Sequence, residues 1–178
     1  MAELHGIAGV TLKEVALRVA MKPPSLYTHF DSKNAIYDAM FEQAWSDYKR
    51  VIDAAHPTMP DDPREALLLI AQTFFDFATS NVARHQLMSA RVIPGFEPSA
   101  RAYEPAVAVI GRLHATLPEL GIHDETASDL FTALIAGLIN QQVANDPGGS
   151  RWRRLLPRAI DMYADEMGLA RPTTRRPT

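Results

Sequence analysis

Apolar residues return along this chain every three or four positions, the spacing that lines one side of an α-helix, and short breaks bearing proline or glycine interrupt the pattern. Leu12, Val15, Ala16 and Val19 make a first short stripe. Leu26 and Phe30 make a second, opening at Lys22-Pro23-Pro24, where proline is tolerated because a first helical turn has no N–H partner to lose. A long helix is predicted from a cap at or beside Ser32, through Ile36, Met40, Phe41, Trp45 and Tyr48, to about Ala55. Three prolines between His56 and Pro63 forbid helix there. Asp62-Pro63-Arg64-Glu65 then restarts it with a cap, a first-turn proline and a capping-box glutamate.

The restarted helix is apolar almost all round (Leu67, Leu68, Leu69, Ile70, Phe74, Phe75, Phe77), which predicts burial at the centre of a bundle. A shorter helix is expected over 82–92, a loop over 93–98, and another helix from Ala100 to Leu117 ending at Pro118-Glu119-Leu120-Gly121. Leu130 to Ala144 carries no charge for fifteen residues, with apolar groups on two sides and Ala133, Ala136 and Gly137 small enough for another helix to approach. Fifteen residues are too few to span a bilayer, which takes about 20. After Asn145-Asp146-Pro147-Gly148-Gly149, Ser150 is the expected cap of a final helix carrying Leu155, Leu156, Ile160, Tyr163 and Met167. The fold class read from this is all-α, in a small N-terminal domain (1–45), a larger helical bundle (46–170) and a disordered tail (171–178).

The segment from Gly9 to Ile36 carries the most specific chemistry. Thr11-Leu12-Lys13-Glu14 is a capping box, so the Thr11 hydroxyl and the Glu14 carboxylate each satisfy an orphan N–H. A three-residue turn at Val19-Ala20-Met21 joins it to the second stripe, whose Ser25, Tyr27, Thr28 and His29 are left for solvent or a partner. Two short helices about a tight turn, the second polar on its outer side, make a helix-turn-helix suited to a DNA major groove. Singly, Tyr27 and Phe30 read more readily as core aromatics, Lys33 as a solvated charge and His29 as a surface histidine; it is their fixed spacing that is informative.

Ala16, Ser25-Leu26-Tyr27, His29-Phe30 and Ser32-Lys33 resemble the pattern of the TetR/AcrR-like transcriptional regulators, a run ending in LYxHF closely followed by SK. The resemblance implies phosphate contacts for Thr11, Tyr27, His29 and Lys33, and contacts from the front of the second helix, Lys22, Pro24, Ser25 and Thr28, to bases. General chemistry agrees: free N–H groups at a helix start bind phosphate, and hydroxyls suit base edges or backbone. The chain departs from the family at Ala20, where glycine is usual, and at Lys22, where a capping hydroxyl is usual. The helix that precedes this unit in the family is represented only by the tail MAELHGIA, so an N-terminally shortened first helix is expected.

Charge narrows the picture. The net charge of −3 excludes bulk attraction to nucleic acid, and Lys13, Arg18, Lys22 and Lys33 against Glu3, Glu14 and Asp31 leave only +1 over the first 36 residues. Cysteine is absent, which excludes disulfides and thiolate metal sites and suits a cytoplasmic setting. Met1 to Ala20 is broken by charges and lacks the apolar core of a secretory signal. No GxSxG, HExxH, P-loop or GxGxxG is present, and no two of the six histidines fall at helical metal spacing, so neither enzyme chemistry nor a cofactor or metal is expected.

In such regulators the larger domain holds an apolar effector. Phe74, Phe77, Met88, Phe96 and Tyr103, with Arg91 and His114 as polar handles, are the candidate lining, although a stripe of this kind is also ordinary core. The last two helices are the candidate dimer face, through Ala133, Ala136, Gly137, Asn140, Leu156, Ile160 and Tyr163. The resemblance therefore implies a homodimeric repressor that binds palindromic double-stranded operator DNA and is released by a small apolar effector, with no membrane partner. The other reading is a dimeric small-molecule-binding or interaction protein that has lost DNA binding.

Overall fold

The computed structural model describes residues 30–171, and these form six α-helices with no strand among the described residues. In chain order they are α1 (Lys33–Ala55), α2 (Pro63–Ser80), α3 (Val82–Ser89), α4 (Ala100–Glu119), α5 (Ala127–Asn145) and α6 (Leu156–Glu166), with short 3-10 turns at His56–Thr58 and Arg153–Leu155. No single helix among them is long and apolar enough to cross a membrane.

The predicted helix starts rest on local chemistry and appear as expected. The Ser32 hydroxyl accepts the Ala35 N–H at 3.1 Å, capping α1. Asp62 Oδ1 accepts the N–H groups of Arg64 (2.9 Å) and Glu65 (3.0 Å), capping α2 ahead of Pro63. Within α2 only Glu65, Asp76 and Ser80 are exposed, in keeping with its nearly all-round apolar sequence.

The chain groups into two compact units. The first takes 30–53 and 80–110 of the described residues; the second takes 54–79 and 111–171. The expected boundary at 45/46 falls inside α1, which runs unbroken to Ala55. In the first unit, Tyr37, Phe41, Ala44, Trp45 and Tyr48 are the buried stripe of α1, and Ala102, Ala106 and Val109 that of α4. In the second, Leu67 and Phe75 of α2, Phe131, Ile135 and Ile139 of α5, and Leu156, Ile160 and Tyr163 of α6 form one apolar core. Each such side chain contributes about 1.5–3 kcal/mol by leaving water.

Three expectations are corrected. Helix α3 stops at Ser89 rather than near Val92, with extended backbone at Ala90; a helix continued through the linker would also lose its bond to the Ala90 carbonyl, because Pro94 has no N–H to give it. Ser150 does not cap the last helix. Gln142 Oε1 accepts the Trp152 N–H at 3.0 Å and holds a 3-10 turn there, and α6 begins only at Leu156, with Pro157 in its first turn. The third concerns the face of α6. Leu156, Ile160 and Tyr163 are at most 3% exposed within their own chain, and the Tyr163 hydroxyl donates to the Ala127 carbonyl at 2.9 Å, so these three are not surface for a second subunit.

Arg64 ties the two ends of the second unit together. Although it is only 7% exposed, its guanidinium donates to Asp165 Oδ1 (2.6 Å) and to the carbonyls of Leu169 (2.6 Å) and Ala170 (3.0 Å), which fixes the chain just after α6. Asp165 also accepts from Arg171; with the Arg171 bond as the larger cause and the Arg64 bond next, its carboxyl is held down at about 2. Of the expected tail 171–178, everything after Arg171 lies outside the described residues.

Candidate functional site

The linker between α3 and α4 builds one wall of a cavity in the first unit. Ile93-Pro94-Gly95-Phe96 closes a tight turn in which the Phe96 N–H donates to the Ile93 carbonyl at 3.3 Å. Proline at the second position presets φ, and Gly95 takes φ of +71°, a conformation an L side chain rarely adopts. The turn sends Phe96 back toward α1, where its ring lies 5.5 Å from that of Tyr37.

The cavity has a volume of about 440 Å³, within the range of small-molecule pockets. Phe41 lines it from α1, Leu87, Met88 and Ser89 from α3, Tyr103 from α4, and Ala90, Arg91, Ile93, Phe96, Glu97 and Pro98 from the linker. Aromatic and aliphatic side chains share the wall about equally with polar atoms, so an occupant would both remove apolar surface from water and need polar partners. Arg91 and Glu97 face each other at 3.9 Å and are 92% and 82% exposed, so their pairing contributes little. Ser89 adds a hydroxyl to the wall and is hydrogen-bonded to His85 Nδ1 at 3.2 Å. Burial pushes the His85 imidazole below its usual value, so the polar group behind this wall is neutral near pH 7.

Four of the seven sequence-chosen lining residues, Met88, Arg91, Phe96 and Tyr103, are brought together here. Phe74 instead packs against the core of the second unit, Phe77 is half-buried on the same helix, and His114 is exposed on α4; none of the three lines the cavity. Their grouping followed composition, which does not distinguish one apolar stripe from another. Seven lining residues were missed: Phe41, Leu87, Ser89, Ala90, Ile93, Glu97 and Pro98. Phe41 reads only as one member of a helical stripe, but the His85/Ser89 pair, four residues apart, was a usable signal.

Of the residues assigned to DNA by resemblance, Thr11, Lys22, Pro24, Ser25, Tyr27, Thr28 and His29 lie outside the described residues. Lys33 opens α1, half-buried, with its ammonium 5.3 Å from the centre of the Tyr37 ring. Along α5, Ala133, Gly137 and Asn140 are exposed and Ala136 is half-buried. With Leu130 (45% exposed) they form a stripe of small and apolar groups. On α6 the side turned outward carries Pro157, Arg158, Asp161 and Met162 instead of the three core residues. Among the described residues, no group of His, Asp and Glu could hold a metal ion.

Residues 1–40 match the family model of bacterial regulatory proteins, tetR family. Curated relatives include the HTH-type transcriptional regulators Rv1816 of Mycobacterium tuberculosis (strain H37Rv) and Mb1846 of Mycobacterium bovis, each 28% identical over 109 residues. The match covers 60% of this chain and 47% of theirs, so the chain spans about half the length of these relatives. A protein of unknown function from Rhodococcus sp. RHA1 superposes with a TM-score of 0.77 at 18% identity, over 96% of this chain and 89% of that one. SCO4313, provisionally described as a regulatory protein, superposes with a TM-score of 0.70 at 17% identity, over 92% and 89%. The described residues form an all-α body that follows a segment similar to bacterial regulatory proteins. Within residues 1–40 the chain is similar to the tetR family, and over 109 residues to these HTH-type regulators.

Proposed function

We propose that this protein is a ligand-responsive transcriptional repressor, cytoplasmic and homodimeric, that binds a palindromic operator and leaves it when a small, partly apolar molecule fills the cavity beside Phe41. One observation carries the reading: α1 starts at Lys33, inside the segment that matches the regulator family, and eight residues later supplies Phe41 to the cavity wall. A single helix thus joins the segment assigned to DNA with the segment assigned to the effector. In the dimer, Thr11, Tyr27, His29 and Lys33 would hold phosphates, and Lys22, Pro24, Ser25 and Thr28 would meet bases, with the two reading helices about 34–36 Å apart. The exposed stripe of α5 and the outward side of α6 are the surfaces offered for pairing.

The test is selection of duplexes from a random library with the full chain, followed by salt-dependent gel shifts of the enriched sequence. A repressor enriches an inverted repeat with half-sites about one helical turn apart, and binds it as a dimer. Failure to enrich any sequence, together with a dimer by ultracentrifugation and binding of the apolar fluorophore N-phenyl-1-naphthylamine, would instead establish the second reading, a small-molecule-binding dimer without DNA recognition.

A further inference from the structure

Four contacts join α1 to the segment that runs from the linker into the first turn of α4, and they alternate in chemistry. Tyr37 meets Phe96, with ring centroids 5.5 Å apart; Asp38 meets Ser99; Phe41 stacks on Tyr103 at 5.4 Å; Glu42 pairs with Arg101 at 3.6 Å. The aromatic pairs supply three rings of the cavity wall, Phe41, Phe96 and Tyr103, whereas Asp38 and Ser99 are not part of it.

The Asp38–Ser99 contact is the most constrained of the four. Oδ1 accepts the Ser99 N–H at 2.7 Å and Oδ2 accepts the Ser99 hydroxyl at 2.7 Å, so both carboxylate oxygens are spent on one residue and its orientation is fixed. Ser99 in turn starts α4: its hydroxyl oxygen accepts the Ala102 N–H at 3.2 Å and its carbonyl the Tyr103 N–H at 3.0 Å. The carboxylate therefore also lies at the positive end of the α4 dipole. Glu42–Arg101 lies at the surface like the Asp38–Ser99 pair, but it is a single contact at 3.6 Å and fixes orientation less.

We infer that Asp38 is the positioning residue through which occupancy of the cavity is felt at the start of α1. A molecule that enters against Phe41 and Tyr103 changes the spacing between α1 and the first turn of α4. The aromatic pairs tolerate this by sliding. The two-point Asp38–Ser99 contact does not, and it must either hold α1 to the movement of α4 or break. Asp38 lies within the last residues of the segment matching the regulator family, so strain there reaches that segment directly. The inference rests on the proposed repressor reading, and the ligand's effect on DNA then equals its difference in affinity for the two arrangements.

The experiment measures the Kd of N-phenyl-1-naphthylamine with and without a saturating duplex obtained by selection, using the full chain and the variants Ser99→Ala, Ser99→Thr and Asp38→Ala. In the unsubstituted chain the duplex should weaken the probe by about tenfold or more, within the usual span of allosteric coupling. Ser99→Ala and Asp38→Ala should cut that factor to about twofold while leaving each ligand's separate Kd within about threefold. Ser99→Thr, which keeps the hydroxyl, should retain it and separates the claim from simple misfolding of Asp38→Ala. A factor unchanged in Ser99→Ala overturns the inference and leaves the repressor reading standing. The absence of coupling in an unsubstituted chain that binds both ligands overturns the inference and the ligand response, and leaves only operator binding standing. An unsubstituted chain that binds no duplex, or no probe, overturns the repressor reading and this inference with it.

Discussion

The ring of Tyr103 lies on that of Phe41 with centroids 5.4 Å apart and planes only 27° from parallel, although the two residues are 62 positions apart in the chain. One face of Tyr103 is thereby satisfied. The residue as a whole is still 48% exposed, so part of the ring is left for whatever enters the cavity. An offset aromatic stack is worth about 0.5–1.5 kcal/mol beyond the area it buries.

Replacing Tyr103 with alanine should therefore weaken binding of an aromatic probe such as N-phenyl-1-naphthylamine by about three- to tenfold. Tyr103→Phe, which keeps the ring, should bind within about twofold of the parent. Fluorescence titration reads both, and equal losses in the two variants would show that the hydroxyl, not the ring, is what matters.

Gly95 should not tolerate a side chain. Its φ of +71° costs an alanine about 1 kcal/mol although the space around it is open, so the penalty is conformational and not a clash. Gly95→Asn should cost less than Gly95→Ala, because asparagine visits this region more readily. Urea unfolding would measure the difference, and the reverse order would remove backbone strain as the explanation.

Acid should loosen the end of α6 in a defined window. Asp165, held by Arg171 and Arg64, has its folded-state pKa lowered from 3.8 to about 2, so the unfolded chain binds a proton first as the pH falls. The stability this group contributes is complete above about pH 4 and is lost between there and about pH 2. Asp165→Asn should be less stable than the parent at pH 7, and the gap between them should close on acidification. A gap that stays constant from pH 7 to pH 2 would rule out the carboxylate as its source.

The DNA assignments separate by sequence dependence. Tyr27→Phe should weaken selected and random duplexes alike, by about 1 kcal/mol for one lost hydrogen bond. Thr28→Ala should narrow the difference between them. Competition gel shifts at fixed salt distinguish the two, and a Tyr27→Phe loss confined to one base position would contradict a phosphate role.

How much of this was legible in the sequence depended on the range of the interaction concerned. The caps at Ser32 and Asp62 are contacts over two or three residues, and the helices they start were readable. The stripe of α6 was also readable, but not its destination. Periodicity says that Leu156, Ile160 and Tyr163 share a side, and only the packed chain shows that this side fills its own core. About a third of the cavity's lining was legible. Met88, Phe96 and Tyr103 sit close enough along the chain to be grouped, whereas Phe41 joins them across a loop closure that leaves no local mark. Arg64 was hidden for the same reason: its partners follow about a hundred positions later.

More than half of the cavity's contributors, Ala90, Arg91, Ile93, Phe96, Glu97 and Pro98, belong to the stretch between α3 and α4 and not to any helix. Most of these six bear little of the packing load, and only Ile93 is buried. Exchanges at Arg91, Glu97 or Pro98 would redraw the cavity wall while the helices keep their registry. The shape of this hollow is therefore free to drift faster across generations than the architecture that frames it.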